Sequence, residues 1–314
     1  MPIHPALIGA ISGSFAPGVA GKGYFMGGNQ YQYDEWVRIF LFAEETVSQS
    51  SDNLNSTPYG GDGTNGTNGT AGYNAHSQNA APAYAEGKID RITYATDATD
   101  VVSETMTLLR ASPGMCFNDG TAFYAFGGAT ASSRSEIDKW ALPSETQSQL
   151  SDYLSQGVPH SGGASDGTTA GYRFGGYSGG GVDVIDKIAF SDDCVTTESD
   201  TLEEANYWTK ATSDYSARKG YILHGSADDG MTEMAYATGV TSLSAGPFSS
   251  DGGGTGHGCL CTNNGVAAYQ GGGHSTTDWI QKKVYASGTI STITESMPEP
   301  AYNMTACENH ALAI

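Results

Sequence analysis

Basic residues are what this chain has least of: 14 Lys+Arg stand against 34 Asp+Glu in 314 residues, a formal net charge of −20. Nucleic acid and anionic membrane surfaces are held by phosphate neutralisation, so neither is expected as a partner. An acidic surface favours solubility and attracts divalent cations. No loop has the ligand spacing of an EF-hand, so no cofactor is expected, and calcium is an option without support. Cysteine is sparse too. Cys116, Cys194, Cys259, Cys261 and Cys307 make an odd number with no CxxC pair, which argues against a disulfide framework or a zinc site. Cys259 and Cys261, two apart in "HGCLCTN", share one face if that stretch is a strand. Buried, unreactive thiols folded in a reducing cytoplasm are the expectation. Long apolar runs are missing. The start, "MPIHPALIGAISGSFAPGVAGKGYF", has no basic residue ahead of its mildly apolar run and is too glycine-broken to span a membrane, so no membrane insertion is expected. HExxH, P-loops and convincing amphipathic helices are absent as well.

What the chain does have is 43 glycines among abundant Ser and Thr, the composition of many turns joining short strands. A period organises them. "VRIFLF" ends at Phe42, "IDRITY" at Tyr94, "IDKWAL" at Leu142, "VIDKIAF" at Phe190, "MTEMAY" at Tyr236 and "IQKKVY" at Tyr285, at intervals of 52, 48, 48, 46 and 49 residues. Five positions earlier each unit carries an apolar residue: Val37, Ile89, Ile137, Ile185, Met231 and Ile280. Gly28, Gly128 and Gly176, each closing a Gly-Gly pair, precede the end residue by fourteen positions. In the other units the pair has drifted, as in "GYNAHSQNAAPAY", "ILHGS" and "AYQGGG".

In one unit "GYRFGG" reads as a strand that turns on its glycines, and "VIDKIAF" as its alternating partner. Stretches such as "ANYWTKATSDYS" and "HGCLCTN" supply two further strands. Four strands in about 48 residues match a propeller blade, and a sheet this small is buried on both faces only within a ring. A glycine-rich solenoid, with coils of about 20–30 residues, and tandem sandwiches, which predict no common register, are the alternatives. The expected fold is all-β: one β-propeller of four-stranded blades, six of them with seven left open. It covers residues 22–314, with an N-terminal arm at residues 1–21 and a low-complexity loop insertion at residues 47–72. The chain end, "MTACENHALAI", aligns with "CLCTNNGVAAY", the opening two strands of the sixth unit, and would complete the first blade. Because residues 23–28 already supply the second of those strands, either the last four residues form an extra edge or the ring has a partial seventh blade.

"YRFGG", "YAFGG" and "YFMGG", each followed by a strand, resemble the kelch repeat, an aromatic strand closing on two glycines. More closely, "FGGYSGGGVDVIDKIAFSDD" is similar to the kelch-like repeats of bacteriophage structural proteins, where a phrase of this type recurs. The resemblance covers residues 22–314. It implies a propeller of four-stranded blades and a place in a viral particle.

Chemistry-bearing residues are scattered. His224, His257 and His274 have no pairing at ligand spacing. His274 and Asp278 bracket "GGGHSTTDW" with Trp279, a possible sugar-binding corner whose plainer reading is a structural polar loop. "SADDGMTE" resembles the Asp-box turn of sialidase-like propellers with Glu233 in place of tryptophan, a structural hairpin even in enzymes. Asn55, Asn65, Asn68 and Asn303 sit in N-x-T triplets, glycan acceptors in a secreted eukaryotic chain and turn sequence in a phage-like one. Antiparallel strands bring the loops after the Gly-Gly strands to one face of the ring. Tyr31, Tyr33, Tyr177, His274 and Trp279 are assigned to that face as binding residues, and the insertion to the opposite one. Aromatic rings in polar loops hold sugars or protein partners at low entropic cost.

The expected function is a non-enzymatic structural and adhesion component of a phage-like virion, tail-associated or on the capsid surface, made in the host cytoplasm. The N-terminal arm would dock on other virion proteins, or else pack back on its own domain. The face loops would meet a host-surface glycan or protein. A carbohydrate-active propeller enzyme, such as a depolymerase or sialidase-like hydrolase, is the alternative. A cellular kelch adaptor that binds a protein ligand is the third reading.

Overall fold

The computed structural model describes residues 21–28, 35–55, 70–75, 87–225, 230–244, 248, 259–263, 265–273, 278–301 and 304–309. Their regular structure is twenty-three strands in six antiparallel sheets. Each sequence unit is one sheet. Blade 3 runs outward from the axis as Gly114–Asn118, Ala122–Phe126, Ile137–Ala141 and Thr146–Gln149. Blade 4 follows as Gly162–Ser165, Ala170–Phe174, Ile185–Ala189 and Val195–Thr197, and blade 5 as Lys210–Asp214, Lys219–Leu223, Met231–Ala235 and Thr241–Leu243. Blade 6 is Cys259–Asn263, Ala267–Gly271, Trp279–Val284 and Ile290–Ser296. Blade 2 shows Ala71–Ala75, Ile89–Thr93 and Ala98–Val101; residues 56–69, where its innermost strand would fall, lie outside the described residues. The innermost strands of neighbouring blades adjoin, and the molecule is a six-bladed β-propeller.

Blade 1 settles the count. Its second, third and outer strands are Lys22–Met26, Val37–Leu41 and Thr46–Gln49, while its innermost strand is Thr305–Asn309 from the far end of the chain. Tyr24 pairs with Cys307 and Met26 with Thr305. Thr305–Asn309 thus completes the first blade and starts no seventh, while the last four residues, the alternative extra edge, lie outside the described residues. The arm, residues 1–21, lies outside the described residues except for Gly21.

The sequence period marks the third strand of each blade. Its first residue, Val37, Ile89, Ile137, Ile185 or Met231, or in blade 6 its second, Ile280, is 0% exposed in all six. The residue that ends each unit leaves its own blade to meet the tyrosine at the centre of the preceding blade's second strand. Tyr24 stacks on Tyr94, Tyr124 on Phe190, Tyr172 on Tyr236 and Tyr221 on Tyr285, with ring centroids 4.7–5.3 Å apart. Tyr269 of blade 6 meets Phe42 of blade 1 at 5.2 Å, so the series closes on itself. Between blades 2 and 3, Leu142 packs on the apolar cluster that contains Tyr73. Each aromatic pair contributes about 0.5–1.5 kcal/mol beyond the area it buries.

A second series runs beside the first. Three residues after the end residue the chain turns with φ between 51° and 59° at Glu45, Asp97, Glu145 and Asp193. Each carboxylate reaches back to the blade before it. Asp193 accepts from Tyr124 Oη at 2.8 Å and Lys139 Nζ at 2.7 Å. Glu145 accepts from Tyr73 Oη at 3.0 Å and Arg91 Nη1 at 2.7 Å. Asp97 accepts from Tyr24 Oη and Lys22 Nζ, both at 2.8 Å, and Glu45 from Lys282 Nζ at 2.5 Å. The two remaining turns have glycine, Gly239 and Gly288. At the first, the carboxylate comes instead from Glu198, whose Oε2 occupies the space a Cβ on Gly239 would enter and which lies 3.7 Å from Lys187. At the second, the preceding blade presents Glu233 opposite its central tyrosine, where blades 2, 3, 4 and 6 present Arg91, Lys139, Lys187 and Lys282, so an acid at position 288 would meet a like charge.

Candidate functional site

Four antiparallel strands carry the chain across the ring an even number of times. The loops after each second strand and the connections between blades therefore share one face, here the Gly-Gly face. The turns after each first and third strand share the other. This corrects the placement of the insertion. Its described beginning, residues 50–55, runs on the Gly-Gly face, where the Leu54 N–H donates to Glu35 O at 2.7 Å. The Asn55 N–H donates to Asp90 Oδ2 at 3.3 Å there, and Asn65, Asn68 and Asn303 lie outside the described residues.

Of the face residues expected from sequence, Tyr31, Tyr33 and His274 lie outside the described residues. Trp279 is half-buried at the start of a third strand, beside an irregularity in the pairing of blade 6. Tyr177 is 41% exposed on the Gly-Gly loop of blade 4. It belongs to a cluster with three residues that sequence reasoning passed over. Tyr177 meets Tyr207 at 5.3 Å and 67°, Tyr207 meets Trp208 at 4.9 Å and 53°, and His160 meets Trp208 at 5.6 Å and 74°. The rings stand as angled walls rather than as one flat platform. Trp279 is not part of this cluster.

The backbone beneath the rings is fixed by paired loops. The Tyr177 N–H donates to Pro159 O, Gly176 N–H to Asn206 O and Asn206 N–H to Val182 O, all at 2.9 Å. Arg173, buried in the blade below, donates through Nη1 to Gly175 O at 2.8 Å and Val184 O at 3.0 Å, and through Nη2 to Asp186 Oδ2 at 2.5 Å. Gly175 and Gly176 have φ of 61° and 115°, which no β-carbon-bearing residue adopts cheaply, so the glycine pair aims the loop. In blade 3 the position of Arg173 is Ala125, and Arg110 enters from the incoming connection to meet Asp138 at 3.0 Å and Ala125 O at 2.8 Å.

The position two residues before the innermost strands of blades 3, 4 and 5 also has a left-handed backbone: Ser112 at 53°, His160 at 59° and Trp208 at 55°. The repeat imposes that geometry, but it does not impose tryptophan. Asn, Asp and Gly suit it, whereas a bulky residue is strained there by roughly 1–2 kcal/mol. The sequence signal is "ANYWTK", whose pattern predicts a strand; Tyr207 and Trp208 instead lie in the connection before Lys210–Asp214.

At the opposite mouth three first-to-second turns converge. The Asp119 N–H donates to Gly167 O at 2.8 Å, and Asp119 Oδ2 and the Tyr215 ring both close on the Cα of Gly167. Burial, with Asp166 as a nearby like charge, pushes the Asp119 carboxyl up to about 7. Burial would also raise Asp166. Hydrogen bonds from Thr169 Oγ1 and the N–H groups of Ala170, Thr169 and Thr168 outweigh it and hold that carboxylate low. Arg218 Nη2 adds an ion pair at 2.6 Å. Two carboxyls driven apart in this way divide into an acid and a base.

The other singled-out residues are structural. His224 is buried and Nε2 shares a hydrogen bond with Thr232 Oγ1 at 2.8 Å, while His257 lies outside the described residues. Residues 226–229 of the Asp-box resemblance also lie outside them, and Glu233 sits in a strand, 3.3 Å from Lys219. Cys116, Cys261 and Cys307 are buried against Gly171, Gly23 and Gly72 of the next blade's second strand. Cys259 is buried as well, and its thiol is pushed up to about 12 by desolvation. Cys194 departs from the expectation: it is exposed, on the turn after a third strand. Among the described residues no group of three or more His, Cys, Asp or Glu could hold a metal ion.

No family model matches the chain, and no curated protein matches it. The fold and the surface define a class: a six-bladed β-propeller that displays an angled aromatic cluster on its Gly-Gly face.

Proposed function

We propose that this chain is a recognition propeller without catalytic activity, acting as a kelch-like structural and adhesion component of a phage-like virion. In this reading residues 1–21 dock it on other virion proteins, and the Gly-Gly face meets a host-surface glycan or protein. The particle is its working location and the host cytoplasm its place of synthesis. The observation that carries the reading is the cluster of His160, Tyr177, Tyr207 and Trp208, rings presented on interlocked loops and so prepared for contact at little ordering cost. The sequence similarity to phage kelch-like repeats supports the particle. The test is attachment to host cells by the purified protein and its Tyr177→Ser variant. The reading expects attachment at least tenfold weaker in the variant; unchanged attachment removes the Gly-Gly face from consideration. A chain lacking residues 1–21 is expected to fold and fail to join the particle.

Asp119 favours a second reading, a glycan hydrolase working at the opposite mouth. A carboxyl titrating near 7 is a suitable general acid. Against this, both oxygens of Asp166 are already committed to its own turn and to Arg218. The rings that would grip a sugar are also on the other face. Release of reducing ends from host polysaccharide by the pure protein, lost in Asp119→Asn, would establish the hydrolase.

A further inference from the structure

The aromatic cluster also has an electrostatic setting, and it narrows what can bind there. All 14 Lys and Arg of the chain belong to the described residues. None falls in the three segments that build the cluster, residues 155–161, 175–184 and 198–209. The cations of the supporting blades are turned to other work. Arg173 is buried on Asp186, Lys210 is 1% exposed, and Lys187 lies beside Glu198 and the Tyr172 ring. In the adjoining loop of blade 3, Arg134 is held by Thr130 Oγ1 at 3.1 Å and lies 3.7 Å from Glu136. The charged residues the three segments do carry are all acidic. Glu203 and Glu204 are exposed on the connection that ends in Tyr207 and Trp208, and Asp183 is half-buried on the facing loop.

Building on the adhesion reading, we infer that the cluster of His160, Tyr177, Tyr207 and Trp208 is a saccharide subsite selective for uncharged sugars over sialylated, uronate-bearing or sulfated ones. A pyranose presents an apolar C–H face and a rim of hydroxyl donors. The face fits the angle between tilted rings, and the rim is matched by carboxylate and backbone acceptors. An acidic sugar offers the same face but brings its charge onto loops whose carboxylates are accompanied by no Lys or Arg to receive it. Anion recognition elsewhere relies on Arg or Lys forks. Two like charges at about 6 Å in a solvated site are worth roughly a tenfold preference, and the effect weakens with salt.

The test is an array of neutral hexose and N-acetylhexosamine oligosaccharides printed beside their sulfated, sialylated and uronate counterparts, probed with the full chain. Three variants accompany it. Trp208→Asn removes the ring and suits the left-handed backbone, so it keeps the fold; Tyr177→Ser removes an exposed ring; the third is Glu203→Gln with Glu204→Gln. The expected result is binding to neutral members, about tenfold weaker binding to acidic counterparts, and loss of both in the ring variants. The double glutamine variant is expected to narrow the gap between neutral and acidic members, as is higher salt. Equal or tighter binding of acidic members that still depends on Trp208 and Tyr177 would overturn the charge selectivity and leave the adhesion reading standing. Absence of binding to every member, or binding indifferent to both ring variants, would overturn the subsite itself.

Discussion

Asp119 sits where the first-to-second turns of blades 3 and 4 meet, bonded through its N–H to Gly167 and facing Asp166 and Tyr215. Its ordinary carboxyl value is 3.8, and the fold raises it to about 7. A raised carboxyl binds its proton more tightly in the folded state, so its contribution is full below about pH 4 and is lost as pH rises through about 7. Stability should therefore fall between those limits, by on the order of 2 kcal/mol after allowing for partial exposure. Asp119→Asn, which mimics the protonated form, should be the more stable protein at pH 8 and match the parent near pH 4. Urea midpoints across that range check it; parallel curves for the two proteins would show that Asp119 is ionised throughout. Nothing in "FNDGTAF" forecasts this, because the groups that perturb Asp119 come from turns in "ASDGTT" and "SDYSAR".

At the scale of the strand, the sequence carried more than at any other. The apolar residue near the start of each third strand and the residue that ends each unit form a period, and both have one physical job in every blade: the first fills the sheet interface, and the second bridges to the preceding blade. What could not be read was every relation between one unit and the next. The turn acids Glu45, Asp97, Glu145 and Asp193 look like ordinary solvated turn residues until the preceding blade's Tyr and Lys are placed against them. The glycine ahead of Tyr172 is another such relation. Gly171 has no unusual φ, and a Cβ there would run into Cys116 Sγ of blade 3. Gly171→Ala should destabilise by about 1–3 kcal/mol through overpacking. Adding Cys116→Ala should recover part of that loss, a coupling of at least 0.5 kcal/mol in a double-mutant cycle. Additive effects would mean the two blades do not meet at this pair. The same contact gives the thiol a packing role here: Cys is small and apolar enough to fill the space above a bare Cα.

For the whole ring, stability depends on closure. A blade of four short strands buries its two faces only against its neighbours, so blade 1 must be complete for blades 6 and 2 to be covered. Its innermost strand arrives last: Thr305–Asn309 pairs along Lys22–Met26, puts Cys307 against Gly72 of blade 2 and places Ala306 in the core shared with Tyr269 of blade 6. Closure by a strand some 280 positions from its partner means the ring gains its last interface only when both ends of the chain have been made. Ending the chain after residue 303 would remove one strand of the twenty-three. A linear stack would lose one end blade's worth of packing; a ring would lose the joint that holds both ends. The expected outcome is a fall in Tm of more than 10 °C with a broadened transition and exposure of Tyr24 and Met26, measured by calorimetry and dye binding. Restoring residues 304–314 as a separate peptide should recover part of the transition, since the pairing needs register and no covalent link. A truncated chain that melts at the parent temperature with the parent's sharpness would show that blade 1 stands without its last strand, and that the ring is held by something other than this joint.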